Sequence, residues 1–243
     1  MSNQDGLRIA LLISGRGSTA AAIIRKFKDS NLVMPVCAIA SNTSAGVGNL
    51  INAGLAEENI YVISPKLMKT SLQFGDAMLA ICKKHKVDLI GHYGWLVKTP
   101  QNVVEAYPGM IINQHPGPLD PEREHDFGGH GMYGKRVHYV RLNFVKETKK
   151  HWWTEATCHR VNESYDKGSI IDRIQVEIKE DDTVDSLAER VLLAEHALQV
   201  KVLEDFANKR VEEWRRPEPL VKNFEEKILL RLKEEAIKLC PNG

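Results

Sequence analysis

With 243 residues, 43% hydrophobic and 27% charged, the chain has the make-up of an ordinary globular protein of one large domain, or one domain with an appendage. Its formal net charge of +1 gives no global attraction to nucleic acid or to an anionic membrane surface, so an anionic ligand must be held by a local feature. Apolar runs stay short of the roughly eighteen residues a membrane span needs, and "MSNQDGLRIALLISG" lacks the basic, long-apolar pattern of a secretory leader, so a cytoplasmic protein is expected.

The elements follow in chain order. "LRIALLIS" (7–14) is a short apolar run that ends in "GRGS", and an alanine-rich helical pattern, "STAAAIIRKFKDSN" (18–31), comes next. "MPVCAIAS" (34–41) reads as a strand, 44–57 as a helix and "IYVIS" (60–64) as a strand. Phe74, Met78 and Leu79 mark a helix over 70–86, and "VDLIGHYG" (87–94) and "GMIIN" (109–113) are two further apolar runs. Short strands alternating with helix-length segments are the signature of βαβ units, hence of an α/β protein with a mostly parallel sheet. Ligands of such sheets collect beyond the carboxyl ends of the strands, which singles out "SGRGS", "GHYGW" and "NQHPGP".

After about residue 120 the texture changes. "DPEREHDFGGHGMYGKR" (120–136) reads as a long loop, and "VHYVRLNFVKE" (137–147), "WTEATCHRV" (153–161) and "SIIDRIQVEI" (169–178) read as strands. Trp152 and Trp153 then point to opposite faces of their strand, one of them into the core. The segment 181–210 begins with a cap at Asp182 or Thr183 and carries apolar residues at 187, 191, 192, 198 and 202, the stripe of an amphipathic helix. "EEKILLRLKEEAIKL" (225–239) is a second, charged amphipathic helix, an accessory packing element or a partner-binding face. Cys37, Cys82, Cys158 and Cys240 are scattered without CxxC pairs, which suits reduced thiols rather than a zinc site.

Three stretches can carry chemistry. "SGRGST" (14–19) joins a strand to a helix, where free N–H groups can cradle a phosphate; it is neither GxGxxG nor GxxxxGK[ST], so a single phosphate monoester fits it better than a dinucleotide, and an ordinary tight turn fits it equally. In "NQHPG" (113–117) strand alternation puts Asn113 and His115 on one side: an amide that can donate to a developing oxyanion, and an imidazole that can move a proton. The alternative is a polar strand end in contact with solvent. "SYDKGSI" (164–170) is a turn whose Asp166 matters only if it folds back toward His115 and orients it. His125, His130, His138 and His151 with Asp126 could conceivably hold a metal, but their spacing matches no ligand pattern. His92 reads as a strand-end residue lining a cleft, and Glu195 with His196 as a surface pair or a ligand contact.

In this order, "ALLISGRGST", "ASNTSAGVGNLINAG", "DLIGHYGWL", "GMIINQHPGPL", "TCHRVNESYDKGSIIDRIQVEI" and "DDTVDSLAERVLLAEHAL" resemble the folate-dependent formyltransferases, most closely those acting on phosphoribosylglycinamide, from about Leu7 to about Phe206. The resemblance implies a Rossmann-like fold, a mostly parallel twisted sheet with helices on both faces. It implies a formyltransferase domain over 1–215, with a phosphate-binding half to about 105 and a folate and catalytic half from about 106, followed by a helical extension over 216–243. It implies transfer of a formyl group from 10-formyltetrahydrofolate to the amine of glycinamide ribonucleotide, without a metal, in a cytoplasmic monomer or homodimer that uses small molecules and neither nucleic acid nor membrane.

By the same resemblance the catalytic trio falls on Asn113, His115 and Asp166. Gly15, Gly17, Ser18 and Thr19 would hold the substrate phosphate; Pro116, Gly117 and Glu195 would contact the rest of that substrate. Trp95, Leu96, Val97, Asn113, Tyr165 and Asp166 would hold the folate. The chain departs from the family pattern at Thr19 (usually Asn), Gln114 (usually apolar) and Gly117 (usually Ser). It is also longer than usual over 120–153 and has no evident arginine for the phosphoribosyl group near 69–74. Three alternatives stay open: another acceptor such as a nucleotide-linked amino sugar, hydrolysis of the formyl folate, and a non-catalytic binding protein on the same fold.

Overall fold

The computed structural model describes residues 6–43, 45–241 and 243. Residues 1–5, where the stretch read for a leader begins, and Ser44, the first residue of the helix expected over 44–57, lie outside the described residues, as does Asn242.

The parallel part of the protein forms as the alternation of apolar runs and helical segments requires. Strands β1 (Leu7–Ile13), β2 (Val33–Ala40), β3 (Ile60–Val62), β4 (Leu89–His92) and β5 (Ile111–His115) are separated by helices α1 (Ser18–Phe27), α2 (Val47–Ala53), α3 (Ser71–Lys84) and α4 (Gln101–Ala106). β1 pairs in parallel with both β2 and β4, β3 adds to β2, and β5 adds to β4. A central parallel strand has neighbours on both edges and cover on both faces, which is why Ile9 to Ile13 carry no exposed area and read as a continuous apolar run rather than an alternating one. Two longer strands, β6 (Trp153–Arg160) and β7 (Ile170–Glu177), pair antiparallel, and the seven-stranded sheet runs in the order β3-β2-β1-β4-β5-β6-β7. The expected α/β class with a mostly parallel sheet is the fold observed.

The chain divides into two compact units, one comprising the chain up to Asn113 with Gln199–Val211, the other Gln114–Leu198 with Glu212–Gly243. The second unit contains the one expected element that folds differently. Residues 137–147, expected as a strand, belong to helix α5 (Lys135–Thr148). Their β-branched and aromatic content suggests a strand, but Val137, Val140, Phe144 and Val145 recur at helical spacing, and all four are buried. Packing of that stripe decides the outcome. Its partner is helix α7 (Glu226–Leu239), whose Leu229, Leu232 and Ala236 close a core with Phe127, Val140 and Phe144. The charged C-terminal helix is therefore part of the second unit's core. Trp152 and Trp153 are both half-buried, and Trp153 packs against this cluster, so neither enters the core fully as expected of one of them.

Helix α6 (Val184–Ala207) starts where expected. Thr183 Oγ1 accepts from the Ser186 amide and Ser186 Oγ accepts from the Thr183 amide, both at 3.1 Å, a reciprocal cap. Leu187, Val191, Leu198 and Val202 of its expected stripe are fully buried.

Candidate active site

In the first unit, β1 ends in a loop that neighbouring segments hold in place by hydrogen bonds. Ser14 Oγ accepts from the Leu96 amide at 2.9 Å and from Ser41 Oγ at 2.7 Å, and Asn49 Nδ2 donates to the Arg16 carbonyl at 2.9 Å. Gly17 caps α1 in the left-handed region at φ 66°, with no side-chain cap, and the first helical bond runs from the Ala21 amide to the Gly17 carbonyl. Gly15 is exposed, Ser18 half-buried and Thr19 buried. The amides of residues 18 to 20 thus precede the helical ladder at the positive end of a helix dipole, the geometry that receives an anion. Replacing Gly17 with alanine should cost about 1 kcal/mol of stability through the left-handed backbone. The new Cβ would also press on Ile13 Cδ1 at 3.2 Å. A urea midpoint that falls with an unchanged slope is the expected measurement.

The other stretches of the first unit settle into different places. Trp95 is buried, its ring stacked on Phe74 with centroids 6.3 Å apart and planes at 4°, while Leu96 is 54% exposed and Val97 half-buried. His92 is buried, with Nε2 3.1 Å from Thr99 Oγ1, and is held inside the unit rather than at its surface.

In the second unit, the sequence brings three ionisable groups together. His115, at the end of β5, is buried, and its Nδ1 lies 3.0 Å from the Gly117 carbonyl, which also accepts from Thr157 Oγ1 at 2.9 Å. A carbonyl can only accept, so Nδ1 must carry a proton, and Nε2 is the atom left to gain or lose one. That Nε2 has no hydrogen-bond partner among the described residues and stands 3.8 Å from Asp166 Oδ2. Asp166, in the 162–168 turn with φ 55°, receives a 2.8 Å hydrogen bond on the same oxygen from the Gly129 amide. Its other oxygen is 3.4 Å from Nε2 of His159, whose Nδ1 is likewise committed, 2.7 Å from the Arg160 carbonyl. Burial pushes the Asp166 carboxyl up. The opposing charge of His115, the hydrogen bond and charge of His159 and the Gly129 amide outweigh it and hold the group well below the usual carboxylate range.

Expected partner Asp166 thus does fold back to His115, and the sequence reading missed His159. Its signal was present in "TCHR": Thr157 and His159 alternate along β6 and point the same way, and both are buried despite being polar. His138 on α5 is also buried; desolvation first, and the nearby charge of His115 second, push it down to about 4, so it stays neutral at physiological pH.

The departures from the family pattern acquire physical reasons. A Cβ on Gly117 would lie 2.4 Å from Val137 Cγ1, so α5 leaves no room for a serine there. Gln114, on the opposite face of β5 from Asn113 and His115, hydrogen-bonds Glu195, whose carboxyl burial pushes up to about 7. Glu195 therefore lies in the interior with Gln114 as its partner, while Pro116 is half-buried beside the site. Tyr165 is 45% exposed and meets the His130 ring edge-on at 5.5 Å. Among the described residues, no group of three or more His, Cys, Asp or Glu side chains is arranged to hold a metal, and none of the four cysteines is in a disulfide.

The first unit's parallel sheet thus ends in a helix-capping glycine loop, and the second unit holds a proton-carrying imidazole backed by a carboxylate, the kind of group that acid–base enzymes use. The chain belongs to the formyl transferase family, which it matches over residues 7–203. It is similar to a phosphoribosylglycinamide formyltransferase, chloroplastic, of Arabidopsis thaliana, 29% identical over 89% of this chain and 70% of that one. It is 30% identical to the trifunctional purine biosynthetic protein adenosine-3 of Homo sapiens over 79% of its own length, and spans only 17% of that relative. The solved structure of a phosphoribosylglycinamide formyltransferase from Brucella melitensis superposes with a TM-score of 0.69 at 27% identity, covering 86% of this chain and all of that one (100%).

Proposed function

We propose that this enzyme transfers a formyl group from 10-formyltetrahydrofolate to the primary amine of glycinamide ribonucleotide, giving formylglycinamide ribonucleotide and tetrahydrofolate in purine synthesis. The observation that carries the chemistry is the committed Nδ1 of His115. With that nitrogen donating to Gly117, Nε2 can donate to substrate oxygen only as an imidazolium, and Asp166 sits where it compensates that charge.

The acceptor amine attacks the formyl carbon, a new C–N bond forms, and negative charge develops on the formyl oxygen. Asn113 and His115 Nε2 donate to that oxygen, a contribution of about 3 kcal/mol per donor when preorganised. As the bond from carbon to the folate nitrogen breaks, the proton released by the amine passes to that leaving nitrogen, with His115 and Asp166 as the groups able to relay it. The amides at Gly17, Ser18 and Thr19, with Gly15 shaping the turn, hold the substrate phosphate; Pro116 and Gly117 line its path. In the first unit, exposed Leu96 and half-buried Val97, backed by buried Trp95, offer apolar surface for a pterin ring, and in the second unit exposed Tyr165 offers an aromatic one. Among the described residues no helix is long and apolar enough to cross a membrane. We propose the cytoplasm as its compartment, with the enzyme acting on small molecules as a monomer or homodimer.

A second reading keeps the chemistry and changes the amine, for example to a nucleotide-linked amino sugar. It is favoured by Glu195, which is buried against Gln114 instead of open to the ribose hydroxyls. The absorbance change of formyl-folate turnover with glycinamide ribonucleotide decides between them, repeated with Asn113→Ala. Turnover that the variant loses by about 10²-fold or more supports the proposal. Folate binding without turnover on that amine moves the assignment to the second reading.

A further inference from the structure

Helix α7 lies outside the family match over 7–203, yet it reaches the site through one peptide group. Lys233 Nζ donates to the Gly128 carbonyl at 2.7 Å, and the amide of the same peptide unit, Gly129 N–H, donates to Asp166 Oδ2 at 2.8 Å. The chain is therefore ammonium, carbonyl, amide, carboxylate, with His115 and His159 on the far side of the carboxylate.

That peptide depends on its brace for its orientation. It lies between two glycines, and Gly129 holds φ 101°, so the backbone on either side has the conformational freedom of glycine. Turned over, it would present an oxygen to Asp166, and a half-buried carboxylate would lose a donor. Asp166 packs close against this peptide, since a Cβ on Gly128 would lie 2.9 Å from Asp166 Cβ, so only glycine fits there. Lys233 fixes the carbonyl end, and hydrogen bonds in series polarise one another, so a cation on the oxygen strengthens the N–H as a donor. The helix that carries Lys233 is itself pinned: Arg136 donates to the Cys240 and Pro241 carbonyls at its end and to Gly131 in the loop.

We propose that Lys233 is a positioning residue for the reaction, holding the Gly128–Gly129 peptide so that its amide points at Asp166. This inference rests on the formyl-transfer reading for its kinetic readout only. The groups facing Asp166 are His115 from β5, His159 from β6, the Gly129 amide and the cation of Lys233; Lys167 bonds Asp126 and acts on Lys233, and neutral His138 lies behind His115.

The test compares full-length Lys233→Met and Lys233→Arg with the wild type, by steady-state kinetics across pH and by carbon-13 NMR titration of the Asp166 carboxyl. In Lys233→Met, kcat is expected to fall about tenfold with KM for the amine substrate within about twofold, because alignment at the reacting centre is lost and binding is not. The Asp166 titration should move to higher pH, since a donor to the charged form is weakened, and Lys233→Arg should restore both. Lys233→Gln, which keeps a donor and drops the charge, carries the same readouts if the methionine variant does not fold. A wild-type kcat and an unmoved Asp166 titration in the neutral variant would overturn the inference, as would a change confined to KM or to melting temperature. If the wild type transfers no formyl group, the functional reading fails on that result alone, and the NMR titration still decides whether Lys233 acts on Asp166.

Discussion

Replacing His115 with alanine is expected to lower kcat by about 10²- to 10⁴-fold, the range spanned by positioned acid–base groups. The substitution removes the only side chain of the trio that can both donate to the oxyanion and exchange a proton. It leaves the backbone that positions it: the Gly117 carbonyl keeps its bond from Thr157 Oγ1 at 2.9 Å, so the turn after β5 stays satisfied. Asn113 remains on the strand as a second donor, which is why residual activity is expected rather than none. The variant should keep its circular-dichroism spectrum and its affinity for folate while losing turnover. A rate within about threefold of wild type would remove His115 from the mechanism, because among the described residues no other buried imidazole presents an unpaired Nε2 to that oxygen of Asp166, His159 being set on its other oxygen.

Much of this site is legible in the sequence because its parts sit where strand geometry places them. Asn113 and His115 follow from the period of two along "IINQH", and the glycine loop follows from a strand running into an alanine-rich helix. From local pattern alone Asp166 reads only as a turn carboxylate, and only the family resemblance assigns it to the trio, since nothing local says that a turn about fifty residues beyond β5 folds back onto it. His159 shows the same limit in another form: its role depends on β6 lying beside the 162–168 turn, a non-local fact. The misread of 137–147 has a local cause. Val, Tyr and Phe satisfy the composition of a strand, and only the buried stripe of Val137, Val140 and Phe144, completed by α7 almost a hundred residues later, selects the helix. Lys233 is the extreme case, an ordinary exposed-looking lysine in a charged helix whose partner is a carbonyl in a distant loop.

Asp166→Asn tests the arrangement from the carboxylate side. The amide keeps an oxygen for the Gly129 N–H and can offer an N–H to one imidazole, but it cannot balance a positive charge on His115 or serve both rings at once. With its oxygen kept on the Gly129 N–H, the variant amide directs its N–H at His159, and His115 faces a neutral oxygen that no longer holds it as an imidazolium. Turnover should therefore fall by about 10²- to 10⁴-fold with substrate affinity little changed. Stability responds in a defined direction. The folded-state pKa of Asp166 is depressed, so the carboxylate contributes stability above its unfolded value of about 4, and that contribution is lost as pH falls through the lower folded value. The variant should be less stable than wild type by about 1–3 kcal/mol at neutral pH, with the gap closing as the solution is made acidic. Urea unfolding of both proteins between neutral pH and about pH 3 measures the difference. A gap that stays constant with pH would mean that Asp166 is not held ionised by the two histidines, and the role given to it in compensating His115 would fall with it.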